Sequence, residues 1–340
     1  MHALPQKIVP HLWFDREAEE AAHFYASLFR NSSVGEPIRA SKAGFEIHGL
    51  PEGTVMTVPF RLGGLDFAGI NGGPLFKFNP SVSFLIACRT PGEVDALWDH
   101  LSAGGSPLMD LGAYPFSERY GWTTDRYGLS WQVLSTGGRE IRQKIVPTLM
   151  YVGARAGRAE EAVRLYASIF ADTGIGAILR YGPGEGPNRE GTVKHASFTL
   201  EGMEFAAMDS ALDHAFTFNE AVSFMRVCET QDEIDRFWTK LTAGGGEEGP
   251  CGWLKDRFGV SWQVAPARLQ AMLRDPDPAK LERVTNAFLK MKKLDLVELE
   301  KAYRGRPGAA VAIDPEGGPN DQTQRLSQLP GNRRGGLRSL

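Results

Sequence analysis

Two stretches of the chain carry the same polar set. Asn79, Asp125 and Gln132 return as Asn219, Asp256 and Gln263, and Trp122 beside them returns as Trp253. Amide side chains orient a ligand without adding charge, and an indole floor suits a planar or amphipathic molecule. Asp125 and Asp256 also fit a structural role, because an Asp at the first position of a turn accepts from backbone N–H groups. A second set lies near the start of each stretch. Val9, His11 and Trp13 alternate with Ile8, Pro10, Leu12 and Phe14, and their counterparts are Val146, Thr148 and Met150. Ser130 and Gln132 alternate with Trp131 and Val133, and Ser261 and Gln263 repeat the pattern. A strand with one bulky apolar face and one Ser/Gln face turns the latter to solvent or to a cleft.

Other reactive arrangements are not evident. No Ser-His-Asp order, paired catalytic carboxylates or activated cysteine stands out. His23 and His100 fall on exposed helical faces, and His2, His48, His195 and His214 do not recur between the stretches. Cys88 and Cys228 sit in apolar runs, Cys251 stands apart, and no CxxC pair exists. Buried thiols are expected from this, not a disulfide framework or a zinc cage.

The elements that position these residues follow from the repeat. Residues 76–105 align without gaps with 216–245, with 15 of 30 identical, and 121–133 align with 252–264, with 9 of 13 identical. This is duplication of a whole domain at an offset near 140, not a short solenoid repeat. Each copy opens with a strand such as Ile8–Phe14 and a helix with an apolar stripe at Ala18, Ala21, Ala22, Tyr25 and Leu28. A hairpin turning at Gly63-Gly64 follows, then a strand from Val82 and a helix started by Thr90, Pro91 and Glu93. A second hairpin turns at Asp125-Arg126-Tyr127-Gly128. Each copy therefore reads β-α-β-β-β twice. The expectation is an α+β fold of four such modules, with helices on one face of curled mixed sheets. The domains are residues 1–139 and 140–304, the second including helices within 266–304 that pack as a lid. The Gly-, Pro- and Arg-rich segment 305–340 is expected to be disordered.

The opening strand with Pro-His-Leu, the helix ending Phe24-Tyr25-Ala26-Ser27-Leu28-Phe29 and the hairpin ending Leu129-Ser130-Trp131-Gln132-Val133 resemble the vicinal oxygen chelate superfamily. This is the group of glyoxalases, bleomycin-resistance proteins and dioxygenases. Ile70-Asn71-Gly72-Gly73-Pro74 and Phe78-Asn79-Pro80-Ser81-Val82-Ser83-Phe84 are similar to its PhnB-like branch, often labelled 3-demethylubiquinone-9 3-methyltransferase. The resemblance implies a small-molecule cleft and, in catalytic members, a divalent metal held from the first, fourth, fifth and eighth strands. Carried over, those positions are His11, Asn71, Ser83 and Gln132 in one copy and Thr148, Asp209, Ser223 and Gln263 in the other. Divalent ions want carboxylates and imidazoles. One histidine and two amides in the first copy, and one carboxylate in the second, depart from that pattern, so no metal or other cofactor is expected. The methyltransferase label finds no support either, since no strand, glycine-rich loop and helix unit for a methyl donor is present. Gly182-Pro183-Gly184-Glu185-Gly186 reads as a surface loop.

The formal net charge of -3 gives no sign of nucleic acid or an anionic membrane as partner. No apolar run is long enough to span a bilayer and no secretory signal precedes the first strand, so a cytoplasmic location is expected. Three functions stay open. The first is small-molecule binding in the clefts of an intrachain pseudo-dimer, as a monomer or a higher homo-oligomer, using His11, Trp13, Asn71, Asn79, Trp122 and Gln132 with Thr148, Asp209, Asn219, Trp253 and Gln263. The second is a metal-dependent lyase, isomerase or dioxygenase centred on His11. The third is a structural or regulatory protein with filled clefts.

Overall fold

The computed structural model describes residues 6–305. The disorder expected for the terminal segment concerns residues that, past Gly305, lie outside the described ones. The first module holds β1 (Ile8–Phe14), α1 (Ala18–Leu28), the two-residue strands β2 (Ser33–Val34) and β3 (Ile38–Arg39), a short α2 (Phe45–His48), β4 (Val55–Leu62) and β5 (Leu65–Asn71). The second holds β6 (Val82–Cys88), α3 (Pro91–Ser102), β7 (Ser106–Tyr114), β8 (Ser117–Thr124) and β9 (Ser130–Ser135). The third repeats the first as β10 (Ile145–Tyr151), α4 (Ala159–Ile169), β11 (Gly174–Arg180), β12 (Val193–Leu200) and β13 (Met203–Asp209). The fourth is β14 (Val222–Cys228), α5 (Gln231–Thr242), β15 (Glu247–Glu248), β16 (Trp253–Lys255) and β17 (Ser261–Pro266). Three helices close the described chain: α6 (Ala267–Met272), α7 (Pro278–Phe288) and α8 (Leu296–Arg304).

Local rules account for the helices. Ala18, Ala21, Ala22 and Tyr25 are the buried stripe of α1, at helical spacing. Thr90 caps α3 by accepting from Glu93 N, with Pro91 in its first turn, and Thr230 caps α5 the same way. Asp277 and Asp295 cap α7 and α8.

The modules assemble into two mixed sheets, and neither belongs to one copy. One sheet runs β15-β16-β17-β14-β1-β5-β4-β2, with β3 also on β4, and the other runs β11-β12-β13-β10-β6-β9-β8-β7. The joins are antiparallel, with His11 opposite Ser223 and Thr148 opposite Ser83. Each sheet is thus one opening module beside one closing module of the other copy. The grouping of candidate residues within each copy is corrected here: His11 shares a sheet with Gln263 and Trp253, not with Gln132 and Trp122. The reason is edge pairing. β1 and β14 each have an open edge, and pairing them buries both rows of backbone groups.

The two modules of one copy meet through their helix-bearing faces. Tyr25 of α1 lies 5.3 Å from the Trp131 ring, and Phe67 lies 5.4 Å from Phe84. One continuous apolar cluster therefore runs through both sheets. Asp125 fastens this contact, accepting from Tyr25 Oη at 2.7 Å, Trp131 Nε1 at 2.8 Å and the Tyr127 and Leu129 N–H groups. Asp256 does the same with Tyr166, Trp262, Phe258 and Val260. The structural role considered for these aspartates is the one they fill. Burial pushes both carboxyls above the usual range, opposed by those donors.

A smaller cluster joins the closing helices to the first sheet. Leu269, Met272, Val284, Leu294 and Leu299 pack with Ala265 and Met225, which point away from the main core. Cys251 N and Gly252 N donate to Met291 and Lys292 carbonyls. The helices thus lie against β14 and β17.

Candidate functional site

The face of each sheet turned away from α1, α3, α4 and α5 carries the candidate residues, and in the first sheet the closing helices cover part of that same face at Ala265 and Met225. In the first sheet, Ile8, Leu12 and Phe14 enter the core, so Val9, His11 and Trp13 line the opposite face. Ser223 on β14, Ser261 and Gln263 on β17 and Trp253 on β16 share it by register. The face is cupped. Trp13 and Trp253 sit on strands separated by two others, yet their rings lie 6.2 Å apart, edge to face. Trp13 is fixed by its indole N–H donating to Gly73 O at 2.8 Å and by Phe76 at 5.0 Å. A Cβ at Gly72 would lie 2.0 Å from the Trp13 ring, so glycine there is what lets the indole lie against the chain.

The polar centre of this first cleft is incompletely paired. His11 is 3% exposed and its Nδ1 lies 3.0 Å from Val9 O. A carbonyl can only accept, so Nδ1 carries the proton. Burial pushes the ring's pKa down to about 4 against the hydrogen bond to Val9, which keeps the ring neutral at pH 7 and leaves Nε2 a bare acceptor. Gln263 Nε2 donates to Ser223 Oγ at 2.9 Å, and its carbonyl oxygen has no partner among the described residues. Ser261 is 1% exposed and its hydroxyl is buried with no partner.

The second cleft has the same plan with every one of these groups satisfied. Thr148 Oγ1 donates to Val146 O, and Gln132 Nε2 donates to Ser83 Oγ at 2.8 Å. Tyr120 Oη donates to Gln132 Oε1 at 2.8 Å, and Trp122 Nε1 donates to Ser130 Oγ at 2.7 Å. Tyr114 and Phe116 pack edge-on against Tyr120 from the long β7–β8 hairpin. In the first cleft the residue matching Tyr120 is Cys251, and the matching hairpin is short. Trp253 faces Trp13 and has no hydrogen bond to Ser261, which is why that hydroxyl is orphaned.

Four further candidates have both polar ends engaged with backbone. Asn71 Oδ1 accepts from Ala18 N at the start of α1, and its Nδ2 donates to Val55 O. Asp209 accepts from Gly157 N and Ala159 N at the start of α4 and from Val193 N. The two positions differ because Val55 presents a carbonyl where Val193 presents an N–H. An amide serves the first and a carboxylate the second. Asn79 and Asn219 clasp the two copies together, each donating to the other's loop, at Thr217 O and Lys77 O. Ser223 and Ser261 were present in the sequence pattern, but only the cross-copy pairing shows that they meet His11. The buried thiols of Cys88 and Cys228 are pushed up to about 12, which leaves them protonated.

The donor set does not suit a divalent ion. His11 Nε2 and Gln263 Oε1 are neutral, Asn71 faces α1, and no carboxylate joins them. Among the described residues no three His, Cys, Asp or Glu side chains cluster. No helix among them is long and apolar enough to cross a membrane.

The family model described as 3-demethylubiquinone-9 3-methyltransferase matches residues 6–134 and again 143–265. The chain belongs to this family. It carries two tandem copies of the family's domain. A PhnB protein from Bacillus cereus is 38% identical over 38% of this chain and 100% of its own, with a TM-score of 0.35. A protein from Pseudomonas aeruginosa is 22% identical over 38% of this chain and 97% of its own, with a TM-score of 0.32. Glyoxalase I from Zea mays is 11% identical over 76% of this chain and 92% of its own, with a TM-score of 0.45. No curated protein matches the chain.

Proposed function

We propose that this tandem member of the family binds a small, neutral, planar molecule in the cleft built by β1, β14, β17 and β16. The observation that carries this reading is the Ser261 hydroxyl, buried without a partner, together with His11 Nε2 and Gln263 Oε1, which make no hydrogen bond among the described residues. A buried hydroxyl without a partner costs about 1–3 kcal/mol, so a site that keeps one beside two free acceptors is arranged for something that pairs them. Two of the three accept, which selects a ligand bearing O–H or N–H donors, such as a phenol or a heteroaromatic N–H, over an anion. Trp13 and Trp253 supply the flat apolar contact. Lys255, the nearby cation on β16, is held by Glu220 at 2.8 Å, so it offers no free charge to an anion. The second cleft serves as scaffold, its polar groups already paired.

The reaction named in the family's description is not carried over. Both sheets are mixed, and the Gly182–Gly186 segment is a loop between two antiparallel strands, β11 and β12, not a phosphate-type loop leading into a helix. Neither is metal-dependent chemistry, given the donor set.

Thermal-shift screening of neutral phenols and N-heterocycles against the full chain tests the reading. The expected result is a stabilising compound whose effect disappears in Trp253→Ala and Gln263→Leu and persists in Trp122→Ala and Gln132→Leu. Stabilisation that survives both first-cleft changes would sink the assignment.

A further inference from the structure

The molecule holds a second recess unrelated to either cleft. A cavity of about 520 Å³ lies between the end of α1, the β4–β5 turn at Gly63 and helix α3. Its volume is within the range of small-molecule sites. Leu28, Phe29 and Leu97 give it an apolar wall, and Arg30, Arg89 and Lys144 line it with positive charge. Glu93 is the one carboxylate among the lining residues, and it is held by Lys144 Nζ at 2.5 Å. Arg30 and Arg89 are exposed, and their guanidinium groups have no ion-pair partner among the described residues.

The duplication supplies an internal control. At the related place in the other half, Gly63 is replaced by Glu201, Ile86 by Arg226 and Leu97 by Phe237. Arg226 and Glu201, both 2% exposed, pair at 3.1 Å, with Lys7 on the same Glu201 at 3.3 Å. The Arg226 guanidinium also stacks on Phe237, which packs on Phe170 at 5.1 Å. The space is filled by side chains. The rim reverses as well: Ala171 stands for Arg30 and Glu229 for Arg89. One copy plugs this recess and lacks its two rim arginines. The other keeps it open and basic.

We infer that the open recess between α1 and α3 is a second binding site, for a small organic anion with an apolar body. The guanidinium pair would take the anionic head through charge-assisted hydrogen bonds, and the Leu28, Phe29 and Leu97 wall would take the body. This site is independent of the cleft and stands whether or not the cleft reading holds.

Calorimetric titration of the full chain with octanoate, octanol and inorganic phosphate tests it. Octanoate binds saturably, one per chain, and octanol and phosphate bind at least about tenfold more weakly, since each lacks one half of the recognition. Arg30→Gln with Arg89→Gln weakens octanoate by about tenfold or more. Gly63→Glu with Ile86→Arg installs the other half's plug and abolishes binding. Glu201 itself sits at φ 52 where Gly63 has φ 56, and the Lys144 side chain, 3.0 Å from a Cβ at Gly63, must shift to admit the change. If that core pair fails to fold, the two rim arginines decide the matter alone. Trp253→Ala leaves octanoate affinity unchanged. Absence of octanoate binding, equal affinity for octanol, indifference to the arginine pair, or loss in Trp253→Ala would each overturn the proposal.

Discussion

The two clefts are built from the same strands in the same register and differ in whether their polar groups are paired. In the second, Tyr120, Trp122 and Ser83 satisfy Gln132 and Ser130 from within the fold. In the first, Cys251 replaces Tyr120, Trp253 faces Trp13, and Gln263, Ser261 and His11 each keep an unused atom. Duplication with a shared core leaves one copy of a site free to become scaffold while the other keeps its recognition groups. Architecture and site chemistry come apart because different residues carry them.

The largest effect is expected where the halves are alike. Asp125→Ala and Asp256→Ala each remove the acceptor of a tyrosine hydroxyl, an indole N–H and two backbone N–H groups in the core, with Tyr166 keeping only its contact to the Tyr151 hydroxyl. Each costs about 3–5 kcal/mol in urea unfolding. A large difference between the two would break the view that the frame is shared.

A smaller effect separates the clefts by pH. Folded His11 resists protonation down to about pH 4, while an unfolded histidine takes a proton near 6.5. Between those values the unfolded chain binds more protons. Stability is therefore fully present above about pH 6.5 and falls as pH drops toward 4, by up to about 3 kcal/mol. His11→Thr, which installs the second cleft's residue, flattens this part of the stability profile. A profile unchanged by the substitution would contradict the neutral, buried ring.

The smallest effect reads the serines directly. Ser130→Ala removes the acceptor of Trp122 Nε1 and costs about 1 kcal/mol, whereas Ser261→Ala removes an unpaired hydroxyl and is neutral or slightly stabilising. Equal costs would mean that Ser261 is paired after all.

Much of this was legible in the sequence and some was not. The repeat, the four βαβββ modules, the caps at Thr90, Asp277 and Asp295 and the burial of Cys88 and Cys228 follow from local pattern, because each depends on neighbours in the chain. The faces of β1 and β17 followed from alternation. The partner of each face did not. Strand alternation fixes which side a residue takes, but not that β1 pairs with β14 across the copies, so alternation alone groups His11 with Gln132 although it shares a sheet with Gln263. Asn71 and Asp209 looked like differing site chemistry. Their difference answers a carbonyl at Val55 and an N–H at Val193, which no single-strand pattern reveals.

Calorimetric stoichiometry with a neutral donor ligand found by the screen tests the central claim most directly. The account predicts one molecule per chain, lost in Gln263→Leu and kept in Gln132→Leu. Two equivalent sites per chain, or a single site lost in Gln132→Leu, would contradict it.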